Sequence, residues 1–139
     1  MGVVNSLKKN FIVITILFTF FIIIIWFFKD DEYKTLEDVE KLFIKNDISY
    51  ISKPVENKYV LDIAKEQRLY EVENNDIFVY IVDKSDMKSA DYRVSNEILD
   101  GNYVVATTDT FIFAYTEKNI GKFYQRLYAV IDEIIDSEK

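Results

Sequence analysis

Hydrophobic positions follow two contrasting patterns: one long uninterrupted run near the start, then short alternating or helically spaced groups. The run covers residues 11 to 28, FIVITILFTFFIIIIWFF, and contains no charged residue, proline or glycine. A helix of this length rises roughly 27 Å, close to the thickness of a bilayer's hydrocarbon core. We predict a transmembrane helix, because helical hydrogen bonding satisfies the backbone where no water is available.

The residues flanking this run distinguish a permanent anchor from a signal peptide. Lys8 and Lys9 precede the run, as they would in either kind of segment. A cleavage site needs small residues just after the apolar region, but Lys29-Asp30-Asp31 follows instead. We therefore expect an uncleaved anchor with residues 1 to 10 in the cytoplasm, since the lysines stand before the run and the acidic residues after it. The remainder then lies outside the cytoplasm.

A charged linker, residues 29 to 34, separates the predicted anchor from a domain of residues 35 to 139. Thr35 and Asp38 have the spacing of a helix-capping pair, so a helix is expected from there to about Asn46. This helix is amphipathic, as expected for one that packs on a core.

The next part of the chain is less regular. Residues 48 to 52 suit a short strand that stops before Pro54. Residues 55 to 66 fit two structures. Val55, Tyr59 and Ile63 have helical spacing, whereas Tyr59-Val60-Leu61 suits a strand.

The order strand, turn, strand, helix then occurs twice. The first unit has strands at 67 to 73 and 77 to 83 around a turn at Asn74-Asn75-Asp76, then a helix from Ser85 to Gly101. The second has strands at 102 to 107 and 110 to 116 around a turn at Thr108-Asp109, then a helix capped by Thr116. This order predicts an α+β domain with helices on one face of a mostly antiparallel sheet.

The two units also align at an offset of 33 residues. The identical positions are Tyr70 with Tyr103, Val72 with Val105, Asp76 with Asp109, Phe78 with Phe111, and Ile98 with Ile131. Internal repetition explains this match, and so does chance alignment of two ββα units of equal length.

Three-residue hairpin loops would divide the sheet into an aromatic face and a small aliphatic face, the latter suited to close helix packing. The aromatic set is Tyr70, Phe78, Tyr80, Tyr103, Phe111, Phe113 and Tyr115. Either the first helix and residues 55 to 66 cover these side chains, or part of the face stays open and binds a protein or peptide partner. The seven are our candidate binding residues. A two-residue turn would change the register and remove this division.

Charge and composition narrow the chemistry. All 24 acidic residues and 15 of the 17 basic ones follow residue 28, so that part carries a formal charge of about −9. This disfavours nucleic acid or anionic lipid as partners. The chain lacks histidine and cysteine, which excludes catalytic triads, zinc hydrolysis and thiolate chemistry. We expect no enzyme activity, metal or cofactor.

Two pairs of carboxylates remain as candidate acid and base groups, Asp83 with Asp86 and Asp109 with Glu117. A third pair, Asp132 with Asp136, lies one helical turn apart, a spacing that can hold Ca²⁺ weakly. Helix caps, turns and solvated helix ends use the same residues in the same places, and we interpret the pairs in that way.

The domain has a characteristic order of elements after its first helix. This order is Arg68-Leu69-Tyr70-Glu71-Val72, a turn, Ile77-Phe78-Val79-Tyr80-Ile81, a polar helix, a turn at Asp109, Phe111-Ile112-Phe113-Ala114-Tyr115 and a last helix. Over residues 36 to 136 this arrangement resembles small uncharacterised extracytoplasmic proteins of low-GC Gram-positive bacteria, many of them lipoproteins. The resemblance implies an extracytoplasmic domain and carries no activity or site residues. The lipobox cysteine of those proteins is missing here, so the helix would be the anchor.

These observations favour a single-pass, membrane-anchored extracytoplasmic binding module that acts on a protein or peptide. The alternative is a protective membrane protein, such as a bacteriocin immunity or phage exclusion factor, in which the anchor itself contacts a membrane target. An enzyme that uses carboxylates and tyrosines is a third possibility.

Overall fold

The computed structural model describes residues 2–27, 32–116 and 122–139. The chain forms two compact units, Met1–Asp31 and Glu32–Lys139. Phe28, residues 29 to 31 of the expected linker, and the segment 117 to 121, including Glu117, lie outside the described residues.

The first unit is a single helix, α1, Gly2–Phe27. It begins well before residue 11, where the apolar run starts. Its segment Val3–Ile24 is long and apolar enough to cross a membrane, with a mean hydropathy of 2.1 and no part buried. The hydroxyls of Thr15 and Thr19 each donate to the carbonyl four residues earlier, at 2.8 Å. Both polar groups within the apolar run are therefore satisfied by the helix itself.

The second unit is an α+β domain, as predicted. Its main elements are α2 (Leu36–Lys45), β1 (Ile51–Lys53), β2 (Glu66–Val72), β3 (Asn75–Ile81), α3 (Met87–Arg93), β4 (Tyr103–Thr107), β5 (Phe111–Thr116) and α4 (Lys122–Ser137). Thr35 and Asp38 form the predicted capping box of α2. The ambiguous residues 55 to 66 contain one 3₁₀ turn, Asn57–Tyr59, and the start of β2. A 3₁₀ turn, Lys84–Asp86, precedes α3, and a π-helical turn, Val94–Ile98, follows it.

The strands form one antiparallel sheet in the order β1-β2-β3-β5-β4. The two predicted hairpins therefore lie side by side, joined through β3 and β5. Among the described residues, β1 and β4 are the outer strands and each has one unpaired edge.

The predicted register of both hairpins is wrong, because each has a two-residue loop. Val72 lies opposite Asn75, and Glu73-Asn74 make the turn with φ of 49° and 65°. Two successive residues with positive φ match the right-handed twist of the strands, which three-residue loops accommodate less often. In the second hairpin, the Thr108 N–H donates to the Phe111 carbonyl at 2.9 Å.

The change of register redistributes the side chains between the two faces. α2 and α4 cover the face that carries Tyr70, Phe111, Phe113 and Tyr115. α3, the π-helical turn and residues 55 to 64 cover the opposite face. The helices therefore lie on both faces of the sheet, in contrast to the expected arrangement on one face.

The offset of 33 residues does not describe a structural repeat. Phe78 and Phe111, which it equates, belong to the core layers on opposite faces of the sheet. The helix that follows the first hairpin and the helix that follows the second also lie on opposite faces. A two-fold rotation that superposes one hairpin on the other has its axis perpendicular to the sheet, so it would leave both helices on the same face. The helices lie on opposite faces, so the two strand-strand-helix units differ in handedness.

Candidate binding groove

The seven aromatic residues expected to form one binding face do not share a face. Phe78, Tyr80 and Tyr103 lie in one core layer, and the other four lie in the opposite layer. Six of the seven are buried, and Tyr103 is half-buried. They pack the interior on both sides of the sheet, and we do not place the binding surface there.

The buried phenols among them have hydrogen-bond partners. The Tyr70 hydroxyl donates to Glu40 Oε1 at 3.0 Å, and the Tyr80 hydroxyl donates to the Tyr59 carbonyl at 2.8 Å. Burial raises the pKa of both phenols well above the ordinary value. These groups stay neutral and hold the core together.

The candidate carboxylate pairs are dispersed in surface ion pairs. Asp83 contacts Lys65, Asp109 contacts Lys84, and Asp136 contacts Lys139. Within the described residues, no cluster of three or more carboxylates has the geometry to hold a metal ion.

A shallow groove follows the chain from the end of α2 into β1. It consists of two adjacent hollows of about 450 and 310 Å³, which share Ser49 and Tyr50. The first is also lined by Ile44, Asp47 and Ile48, and the second by Ile51, Glu71, Glu73 and Asn74. Ile44 is 68% exposed and Ile51 is 58% exposed. Covering such exposed apolar side chains with a partner removes apolar surface from water and so favours binding.

The local backbone explains how Asp47 reaches the groove. α2 ends in a Schellman motif, in which the Ile48 N–H donates to the Phe43 carbonyl at 2.8 Å and the Asp47 N–H donates to the Ile44 carbonyl at 3.1 Å. This motif requires a left-handed residue, and Asp47 has φ of 56°. Glycine is usual there, because a Cβ makes that conformation costly.

The second hollow ends at two more left-handed residues, Glu73 and Asn74. Together with Asp47 they are the non-glycine residues with positive φ in the part of the chain described. Asparagine tolerates this conformation, but glutamate rarely adopts it. Strained backbone of this kind often accompanies functional sites. All three left-handed residues line one groove.

Arg126, on α4, connects both strained turns. Its Nη1 donates to the Asp47 carbonyl at 2.6 Å, and its Nη2 donates to Glu73 Oε1 at 2.9 Å. A planar guanidinium with several donors in fixed directions suits such a bridge. The distance between the two ends of the groove is thereby fixed.

Aromatic rings support the groove from below. Tyr50 packs edge-on against Tyr70 with ring centroids 5.4 Å apart, and Phe43 contacts both rings at 5.3 to 5.6 Å. Burial, together with the nearby Glu40 carboxylate, raises the pKa of the Tyr50 phenol. The floor is therefore rigid and uncharged.

Carboxylates rim the groove. Glu71 pairs with Lys53 and Glu73 pairs with Arg126, whereas Asp47 is exposed. The Glu71 carboxylate raises the pKa of Lys53. Exposed isoleucines beside carboxylates, on a domain with a charge of about −9, suit an apolar segment that carries positive charge.

Sequence reasoning did not single out Ile44, Asp47, Ile51 or Glu73. Ile44 and Ile51 have the residue type of core positions, and their exposure depends on the path of the chain. The signal that was available is Asn46-Asp47 after the helical pattern, since asparagine or aspartate there marks a left-handed helix end.

Comparison with known proteins yields no relative: no protein-family model, curated protein or solved structure matches this chain.

Proposed function

We propose that this protein is a single-pass, membrane-anchored interaction module whose folded domain lies outside the cytoplasm and binds a protein segment. The observation that carries the proposal is the exposure of the apolar side chains of α1. Its apolar side chains are exposed over the whole of Val3–Ile24, so nothing in its own unit buries them. A bilayer would bury those of the apolar run from residue 11 onward, and the helix satisfies its own backbone there. The lysines before the apolar run support the proposed orientation.

We assign the binding role to the groove lined by Ile44, Asp47, Tyr50, Ile51 and Glu73. The ligand that suits it is an extended segment of another protein in which lysine or arginine alternates with apolar residues. Alternate side chains of an extended chain point to opposite sides, so apolar residues can cover the isoleucines while basic ones face the carboxylates. Asp47 supports this role, because glycine would be more stable at its backbone position and lacks a carboxylate.

A photo-crosslinking amino acid at Ile51 tests this proposal directly. The full chain in detergent micelles is irradiated with a labelled ten-residue peptide that alternates lysine and valine. A peptide alternating glutamate and valine is the matched ligand control. The same crosslinker at Tyr92, which is 61% exposed on α3, is the matched site control.

We expect an adduct at Ile51 with the lysine peptide, weakened several-fold by Asp47→Asn, and little adduct at Tyr92 or with the glutamate peptide. Equal labelling at both sites, or equal labelling by both peptides, would contradict the groove assignment. Replacing residues 11 to 27 by an unrelated apolar helix should leave the adduct unchanged. Its loss would favour the protective-protein alternative, in which the anchor itself makes the contact.

A further inference from the structure

The two unpaired edges of the sheet differ in how they are protected. β1 has three residues, includes Lys53 and is followed by Pro54. Short length, lysine and proline are the features by which proteins prevent edge strands from pairing. β4 has five residues, Tyr103-Val104-Val105-Ala106-Thr107, and contains no charge and no proline. This strand has the properties of one that accepts another strand.

The hydrogen-bonding groups on the free edge follow from the ladder between β4 and β5. The Thr108 N–H donates to the Phe111 carbonyl, which makes this a hydrogen-bonded pair, and such pairs alternate along an antiparallel ladder. Val105 lies opposite Ala114, and Thr107 opposite Ile112, at the intervening positions. The N–H and C=O groups of Val105 and Thr107 therefore point away from β5, toward the open edge.

We propose that β4 pairs with β4 of a second copy of this chain, antiparallel and about a two-fold axis at Val105. The two Val105 residues then exchange two hydrogen bonds, and Tyr103 of each copy lies opposite Thr107 of the other. Because the same strand is used by both copies, the interface is closed and limited to two chains. The result is a continuous ten-stranded sheet.

Charge distribution makes β4 the edge at which a second copy meets the least repulsion. The folded part of the chain carries a charge of about −9, so two copies repel each other over most of their surfaces. β4 has no charged side chain. The backbone N–H groups of one copy can therefore reach the backbone carbonyls of the other at this edge without charge repulsion. A basic partner would gain nothing from an uncharged strand, whereas an identical acidic one is least repelled there.

The neighbouring side of α4 places further tyrosine and isoleucine side chains beside β4. The Tyr128 hydroxyl lies 3.5 Å from the Tyr115 hydroxyl, and Tyr115 is opposite Val104 in the ladder. Tyr128 is 50% exposed, and Ile135, two turns further along α4, is half-buried. Asp132 is an exposed charge on the same side of α4, and the Glu138 carboxylate accepts from the Thr108 hydroxyl at its far end.

The proposed membrane anchor makes pairing through such a short edge strong enough to hold two chains together. An edge of five residues provides few hydrogen bonds and little apolar area, which is modest for two freely diffusing proteins. Two chains confined to one bilayer meet at a much higher effective concentration, so a weak contact is sufficient.

The absence of cysteine allows a direct test with single substitutions. In the full chain in membranes, Val105→Cys places two sulfurs on facing residues about 5.5 Å apart between Cα atoms, within the range for a disulfide. Val60→Cys, at an exposed valine in a loop, measures random collision. Ala106→Cys tests the register, because its two copies would be about 7–8 Å apart on the diagonal.

We expect Val105→Cys to form the crosslinked dimer on the order of tenfold faster than Val60→Cys or Ala106→Cys. Equal rates at the three positions would overturn the proposal. Mixing Tyr103→Cys chains with Thr107→Cys chains provides a second pair that leaves Val105 intact. The heterodimer should crosslink faster than either variant alone, and failure of both pairs would exclude this interface.

Discussion

Arg126 and Glu73 lie 53 positions apart in the chain, and Arg126 Nη2 donates to Glu73 Oε1 at 2.9 Å. The other terminal nitrogen of Arg126 donates to the carbonyl of Asp47. One side chain of α4 thus holds two left-handed, non-glycine backbone positions at the ends of the proposed groove. Removing it should affect both the stability of the domain and the shape of the groove.

Arg126→Ala should lower the free energy of unfolding by about 1–2 kcal/mol, because a charge-assisted hydrogen bond and a carbonyl partner are both lost. Urea unfolding of the full chain in detergent, followed by circular dichroism, measures this. Arg93→Ala is the matched control, since Arg93 pairs with Asp62 and Glu97 at a similar exposure but bonds no strained turn. It should cost about 0.5 kcal/mol. Equal losses would show that Arg126 makes only an ordinary surface ion pair.

Asp47→Gly should make the domain more stable and the groove less effective. Removing the Cβ relieves the left-handed conformation, and we expect a gain of about 0.5–1 kcal/mol in the free energy of unfolding. The same variant should crosslink less of the lysine peptide from Ile51, because the carboxylate is gone. Thermal unfolding and peptide crosslinking on one preparation measure both effects.

Asp47→Asn separates conformation from charge, since asparagine also accepts a positive φ. Its stability should stay close to that of the unchanged protein, and its crosslinking should fall as in Asp47→Gly. Peptide crosslinking that survives both substitutions would show that the Asp47 carboxylate takes no part in binding.

Glu133 connects the start of the folded domain to α4. Its Oε1 accepts from Lys45 Nζ and from the Tyr33 hydroxyl, both at 2.7 Å. The Lys45 ammonium, and then the Tyr33 hydroxyl, hold the pKa of Glu133 below its ordinary value of 4.5. The stabilisation is therefore complete above pH 4.5 and is lost as the pH falls through the lowered pKa.

Glu133→Gln should reduce the free energy of unfolding at about pH 7 and make a smaller difference at about pH 3, which lies below the ordinary pKa of 4.5 and so in the range where the stabilisation is being lost. Urea unfolding at both pH values measures the two differences. Glu37→Gln is the control, because Glu37 pairs with Lys41 on the surface of α2 and should cost at most about 0.5 kcal/mol. A loss with Glu133→Gln that is the same at both pH values would point to packing and not charge.

Tyr80→Phe tests whether the predicted aromatic residues act in the core. Its hydroxyl is the partner of the Tyr59 carbonyl, and removing it should cost about 1–2 kcal/mol of unfolding free energy. Peptide crosslinking from Ile51 should be unchanged, because Tyr80 is fully buried and lines neither hollow of the groove. Lost crosslinking in a folded Tyr80→Phe protein would return the binding surface to this residue.

Periodicity predicted most elements of the domain but not their pairing. The capping residues Thr35 and Asp38 fixed the start of α2, and alternating apolar residues located the four longer strands to within two residues. These features depend on local spacing, which the sequence contains directly.

The register depended on which residues form the hairpin turn. The segment Asn74-Asn75-Asp76 has turn composition, yet Asn75 is buried in β3 and its side chain donates to the Glu73 carbonyl. Placing the turn at Glu73-Asn74 changes the pairing by an odd number of positions, which exchanges the two faces. A single aromatic face therefore became two core layers. The groove escaped prediction because exposed isoleucines cannot be distinguished from core ones by residue type.

The proposed membrane anchor and its orientation are the central claim, and cysteine labelling in intact cells tests both most directly. Ser6→Cys and Ser89→Cys place single thiols at exposed positions of the two units in a chain without cysteine. With a membrane-impermeant maleimide, Ser89→Cys should be labelled in intact cells, and Ser6→Cys only after permeabilisation, with both proteins in the membrane fraction. Labelling of Ser6→Cys but not Ser89→Cys in intact cells, or recovery of the domain in the soluble fraction, would contradict the account.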